Sequence, residues 1–217
     1  MPTYSVSLEI VKRGFYAVDG THARIKSPSE DEHIFVNRKN FHSINVPGVC
    51  DSYLKFLKIV SQWPGATHDA FIWSNSTVCE LFEIRTISDG WLLGDSGYPV
   101  RPWLLTHRSE SHYQKATKLQ RGTHMRTRNV VERSFGVLKA RFRCINTSAG
   151  TLLYSALMCC RIVVAVAVFH NLCIDNRMPL PPDRNDFPDH GHIAGPAYNG
   201  PLNDGAHVRE RLINGRF

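Results

Sequence analysis

The sequence predicts an α/β layered domain, on three observations. Two short apolar runs, 14–20 and 91–95, read as buried strands that each close on an aspartate, Asp19 or Asp95. Residues 41–50 and 53–60 form two runs rich in β-branched residues. Later, Val131, Phe135, Leu138 and Phe142 recur at spacings of four, three and four, which makes one apolar helical stripe.

Taken in order, Gly14-Phe15-Tyr16-Ala17-Val18-Asp19-Gly20 is a short buried strand that the glycine should stop. Residues 33–40 are charged and read as a connector. The runs 41–50 and 53–60, joined by a turn at Asp51-Ser52, complete a three-stranded meander with the first strand. Trp63-Pro64-Gly65 is a break, after which Thr67 and Asp69 offer N-cap chemistry for a helix through about residue 82. Trp91-Leu92-Leu93-Gly94-Asp95 is continuously apolar, as a central strand should be. Pro99, Pro102 and the polar stretch 106–120 read as a long loop. Helices follow over about 127–143 and 151–175. The order resembles β-β-β-α-β-α-α, as in ribonuclease-H-like folds.

A domain over 1–177 and a Pro/Gly-rich tail over 178–217, extended or disordered, are expected. The hydrophobic content of 42% is enough for a real core. The formal charge of +7 favours a polyanionic partner, because the basic residues cluster. Six cysteines include no Cys-x-x-Cys pair, which argues against a structural zinc site and for reduced, buried thiols. Residues 1–4 lack the charged start and apolar run of a signal peptide. The uninterrupted apolar part of the last helix, 162–169, is too short to span a membrane, so a buried core helix and no membrane partner are expected.

Three carboxylates stand out. Asp19 and Asp95 each end an apolar strand, and neighbouring strands would bring both to one edge of the sheet, where α/β proteins place sites. Read alone, Asp19-Gly20 and Asp95-Ser96-Gly97 are turns. Glu132 sits about 100° round the helix from Val131, at the edge of the apolar stripe, with Arg128 and Lys139 on its face. It is either a structural ion pair or a metal ligand. Oxygen donors of this kind suit magnesium. Asp69 is either an N-cap or a supporting metal contact. Arg126, Arg128, Arg133 and Lys139 flank the candidate acid where a nuclease needs cations for phosphate. Tyr98, Trp103 and Tyr113 could stack on bases or pack. His22, His124 and His170 read as structural hydrogen-bonding groups.

The strings DGTHARIKSP (19–28), NRKNFHSINV (37–46), WPGATHDAFIWSNS (63–76), LLGDSGYPVRPWLLT (92–106), TRNVVERSFGVLKARFR (127–143) and FHNLCID (169–175) resemble the Harbinger-type DDE transposases and the nucleases derived from them. The resemblance implies a ribonuclease-H-like core with Asp19, Asp95 and Glu132 as the catalytic, metal-binding triad. It implies two Mg²⁺ or Mn²⁺ ions, a double-stranded DNA substrate and a nuclear protein, with the cytoplasm as the alternative. Asp69 falls on the family's His-Asp pair. Two departures accompany it. The region before the first aspartate, where such proteins usually carry helix-turn-helix character, is short here; the alternatives are a truncated copy, a fragmentary gene model, or a catalytic core that takes a separate DNA-binding protein as partner. Gln120-Arg121 stands where the family often has an aromatic-Asn pair. The competing expectation is a domesticated, catalytically silent module that binds DNA or protein.

Overall fold

The computed structural model describes residues 5–7, 13–87, 89–95, 97–99, 101–106 and 118–181. Its strands are β1 (Ser5–Ser7), β2 (Arg13–Arg24), β3 (Ser43–Cys50), β4 (Phe56–Val60), β5 (Trp63–Pro64), β6 (Asp89–Gly94) and β7 (Leu104–Thr106). Its helices are α1 (Asp69–Ser74), α2 (Thr77–Glu83), α3 (Lys118–Arg141) and α4 (Ala156–Asp175). Among the described residues the sheet runs β1-β4-β3-β2-β6-β7, with β5 added on β3. The five-strand path β4-β3-β2-β6-β7 is mixed: β2, β3 and β4 are the expected antiparallel meander, while β6 and β7 continue parallel to β2. This mixed order is compatible with a ribonuclease-H-like fold.

Side-chain alternation gives each face of the sheet its own core. On one face Ala17, Ala23, Ile44 and Val46 pack against Val131, Phe135 and Leu138 of α3 and Cys159, Val163 and Ala167 of α4. The contact with α3 is close: a Cβ at Gly48 would stand 2.9 Å from the Phe135 ring. On the other face Tyr16, Val18, Val49 and Leu92 pack against Trp73 of α1 and Val78 and Phe82 of α2. The result is helices on both sides of a sheet. The α3 stripe is buried as its period requires, except that Phe142 is only half-buried.

Several element bounds differ from the sequence reading. The first strand does not stop at Gly20. It continues to Arg24, because Gly20 and Thr21 pair with Pro47 and Val46 of β3. The single helix expected after Thr67 is two helices broken at Asn75-Ser76, where the Ser76 hydroxyl accepts the Cys79 N–H at 3.1 Å and starts α2 afresh. Three-residue β7 lies inside the expected loop, and α3 starts at Lys118, earlier than expected. Helix α4 starts at Ala156 rather than near 151, capped by Ser155, whose hydroxyl accepts the Met158 N–H. Residues 107–117 of the expected loop, and 182–217 of the expected tail, lie outside the described residues.

The 169–175 segment has a structural job. Asn171 takes both backbone groups of Phe56, accepting its N–H at 2.9 Å and donating to its carbonyl at 2.8 Å. His170 Nε2 meets the Leu54 carbonyl at 2.8 Å, and Lys55 pairs with Asp175. These bonds fix α4 to the β3–β4 turn, where Leu54 adopts a left-handed φ of 70°. Helix α4 is long and apolar enough to cross a membrane by length and composition, with mean hydropathy 2.1. Only one face fits the core-helix expectation: Cys159, Cys160, Val163 and His170 are buried, while Met158, Phe169 and Leu172 are exposed. All six cysteines are free thiols; Cys50, Cys159 and Cys160 are buried, Cys144 is exposed and the other two are half-buried.

Candidate active site

Strand register brings the two aspartates together. The parallel ladder ends with Ala17 paired to Leu93; Asp19 and Asp95 each lie two residues further on, Asp95 just past the end of β6. Neighbouring strands are about 5 Å apart. Asp19 shares the face of Ala17, toward α3, and α3 carries Glu132. Asp69 arrives from the other layer as the first residue of α1.

The three other acids act electrostatically on Asp19. Burial first, then the charges of Asp95, Asp69 and Glu132, push the Asp19 carboxyl up from 3.8 to about 6, against the lowering effect of the Gly20 N–H that donates to it at 2.7 Å. Asp95 accepts the Gly97 N–H at 2.8 Å. The Tyr98 phenol, buried beside this group, is raised well above its usual range by burial and by Asp69, Asp19 and Asp95.

Asp69 is held rather than capping. The N-cap of α1 is His68, and it makes no side-chain cap bond. The Asp69 carboxylate instead accepts from Asn45 Nδ2 at 3.0 Å and faces Arg38 at 3.7 Å. Asn45 also donates to the Thr67 carbonyl at 3.0 Å, while its own buried Oδ1 has no partner among the described residues. A Cβ at Gly20 would stand 3.1 Å from both Asn45 Oδ1 and Asp69 Oδ1, so glycine keeps this oxygen-lined recess open. The sequence reading does not select Asn45 or Arg38, and it offers Tyr98 only as a base-stacking or packing residue. The available signal was an asparagine between Ile44 and Val46, since a polar residue in a buried strand is the informative exception.

The basic residues divide. Lys139 Nζ donates to Thr21 Oγ1 at 2.6 Å and so ties α3 to β2 one turn of strand beyond Asp19. Arg133 is exposed on α3, and Glu132 is exposed too rather than at the edge of the buried stripe. The side chains of Arg126, Arg128, His124 and Tyr113 lie outside the described residues. His22 meets Ser43 Oγ at 3.0 Å, and burial together with Lys139, Arg38 and Lys39 lowers it to about 4, despite Asp69. It and His170 are the structural groups expected. Tyr98 and Trp103 pack in the second core rather than standing open to stack on bases.

Among the described residues, no three of His, Cys, Asp or Glu stand close enough together to hold one metal ion. The donor chemistry nonetheless fits a hard cation held by a pair of carboxylates, since magnesium takes one or two carboxylates and fills the rest with water or phosphate oxygen. Asp19 beside Asp95 is such a pair, and the unpartnered Asn45 Oδ1 adds a neutral acceptor nearby.

A mixed sheet with helices on both faces, carrying Asp19 on β2, Asp95 just past β6 and Glu132 on α3, is compatible with the ribonuclease-H-like fold of DDE endonucleases. The chain belongs to the family described as DDE superfamily endonuclease, whose profile matches residues 18–171. It is 33% identical over 195 residues to the mouse protein named "Putative nuclease HARBI1", a match covering 82% of this chain and 54% of that protein. The human protein of that name is also 33% identical, with the same shares covered. An Arabidopsis thaliana protein named "Protein ALP1-like" is 28% identical across 73% of this chain and 42% of its own length. The chain thus spans about half the length of the curated relatives it matches. No solved structure matches it.

Proposed function

We propose that the chain is a metal-dependent DNA endonuclease domain, derived from a transposase, that hydrolyses phosphodiester bonds. One observation carries this reading: Asp19, half-buried between strands, is burdened by the charges of Asp69, Asp95 and Glu132. Asp69, Asp95 and Glu132, from three other elements, each add negative charge at Asp19 and so cost stability, and a divalent cation held by Asp19 and Asp95 would offset that cost. Asp19 and Asp95 would hold such a cation, with Glu132 and Asp69 on its flanks. A bound Mg²⁺ or Mn²⁺ would lower the pKa of a water ligand and neutralise charge on the leaving oxygen; the family's mechanism uses two such ions.

The residues around the acids have separable tasks. Above about pH 6 Asp19 is a carboxylate and available as a ligand. Asn45 and Arg38 orient Asp69. Lys139 sets the distance between α3 and β2, and with it the reach of Glu132. Arg133, with Arg126 and Arg128 on the same helix, would take phosphates of double-stranded DNA.

The test is nicking of supercoiled plasmid by the purified chain in Mg²⁺, Mn²⁺ and chelator, alone and with a relative's N-terminal region supplied in trans. Asp95→Asn keeps the shape and the acceptor for the Gly97 N–H but weakens a cation ligand. Wild-type nicking that needs metal and disappears in Asp95→Asn supports the reading. DNA binding by both proteins with cutting by neither, under every condition, favours a silent binding module instead.

A further inference from the structure

On the far side of the sheet from α3, a pocket of about 140 Å³ opens between β3, β4 and the α1–α2 pair. Val18, Val49, Ile72 and Val78 make its walls apolar, and Trp63, Trp73 and Tyr98 add three rings. It is contiguous with the acid cluster, because Asp69 and Tyr98 belong to both. Two of its lining residues carry buried polar atoms with no partner among the described residues: the indole N–H of Trp73, a donor, and Oε1 of Gln62, an acceptor. Trp73 is only 3% exposed, and a core residue of that kind normally finds a partner for its N–H. Ser76 and Thr77, at the start of α2, and Lys58 of β4 complete the polar part of the lining.

We propose that this pocket receives an unstacked pyrimidine base of the DNA strand whose phosphate lies at the acid cluster. The proposal rests on the nuclease reading. Size selects one ring: a cavity of about 150 Å³ accommodates benzene. Chemistry selects a pyrimidine over a plain aromatic ring, since thymine and cytosine each present a carbonyl to meet the Trp73 N–H and a ring or exocyclic N–H to meet Gln62 Oε1. Half-buried Trp63 supplies stacking surface, which favours an extruded base whatever its sequence context. Among the described lining residues Lys58 is the one lysine or arginine, suited to a neighbouring phosphate.

The experiment measures binding of the full chain, without metal, to four short duplexes that differ at one position: fully paired, or bearing a single unpaired thymidine, deoxyadenosine or abasic unit. A parallel titration follows quenching of tryptophan fluorescence by free thymidine. The unpaired thymidine should bind about tenfold tighter than the abasic duplex and tighter than deoxyadenosine. Trp73→Phe, which keeps a ring but loses the donor, and Gln62→Leu should each cut that advantage about fivefold. Gln62 is only half-buried, so its variant stays informative if Trp73→Phe does not fold. Four duplexes of equal affinity together with no quenching by thymidine overturn the pocket and leave the nuclease reading standing. Quenching by thymidine without any duplex binding supports the pocket as a base site and removes the DNA-cleaving reading.

Discussion

Replacing Asp19 by asparagine should stabilise the metal-free protein at neutral pH. A carboxyl lifted from 3.8 to about 6 is disfavoured in its ionised form by about 3 kcal/mol at pH 7. Asp19 is partly exposed, and solvent screening reduces the effect to about 1–2 kcal/mol. The sign follows from linkage. The folded-state value is raised above the unfolded one, so the stability associated with this group is fully present below about pH 4 and is lost as pH rises through 6. Asparagine cannot ionise, yet its Oδ1 still accepts the Gly20 N–H. Urea denaturation of wild type and Asp19→Asn in chelator, at about pH 3 and about pH 7 (conditions chosen about one unit outside the window), should show near-equal stability in acid and the variant ahead at neutrality. Millimolar Mg²⁺ should then narrow the gap by stabilising only the wild type. A variant that is less stable at pH 7, or a gap that does not change with pH, would refute the convergence of the acids on Asp19.

Two other predictions concern packing and partners. Phe135→Ala removes a ring buried against Phe56, with centroids 4.9 Å apart, and should cost about 3–5 kcal/mol in chemical denaturation; a loss below 1 kcal/mol would mean that α3 does not seal this core. DNA affinity, measured by fluorescence anisotropy, should fall steeply between 50 and 200 mM salt if several phosphates are contacted, and Arg133→Ala should lower the slope; a flat response would reject an interface dominated by phosphate.

The parts of the fold that were legible in the sequence are those governed by period. The meander follows from β-branched runs, and the face of α3 follows from Val131, Phe135 and Leu138, all buried as expected. Glycine and short elements misled. Gly20 looks like a terminator but is a thin point in a continuous strand, kept small by Asn45 and Asp69. Gly65, a break in the sequence reading, is glycine because any Cβ would stand 2.5 Å from the Phe35 carbonyl, a contact that no local pattern reveals. Strand β7 is too short to carry a period. Asp19 and Asp95 could be selected because both close apolar strands. The roles of Asn45 and Arg38 depend on the crossing of β3 with α1, which is tertiary information. Asp69 looked like a cap because aspartate before a helix usually is one, and here a bond from Asn45 outcompetes that local geometry.

The central claim is that the acids gathered around Asp19 form a divalent-cation site. Titration of the metal-free chain with Mn²⁺, read by the loss of the free-ion electron paramagnetic resonance signal, tests it without relying on catalysis or on DNA. The account predicts saturable binding that Mg²⁺ displaces, weakened about tenfold or more by Asp19→Asn and by Asp95→Asn, and less by Glu132→Gln or Asp69→Asn. Binding that none of the four substitutions alters, or no saturable binding by a folded wild type, would contradict it.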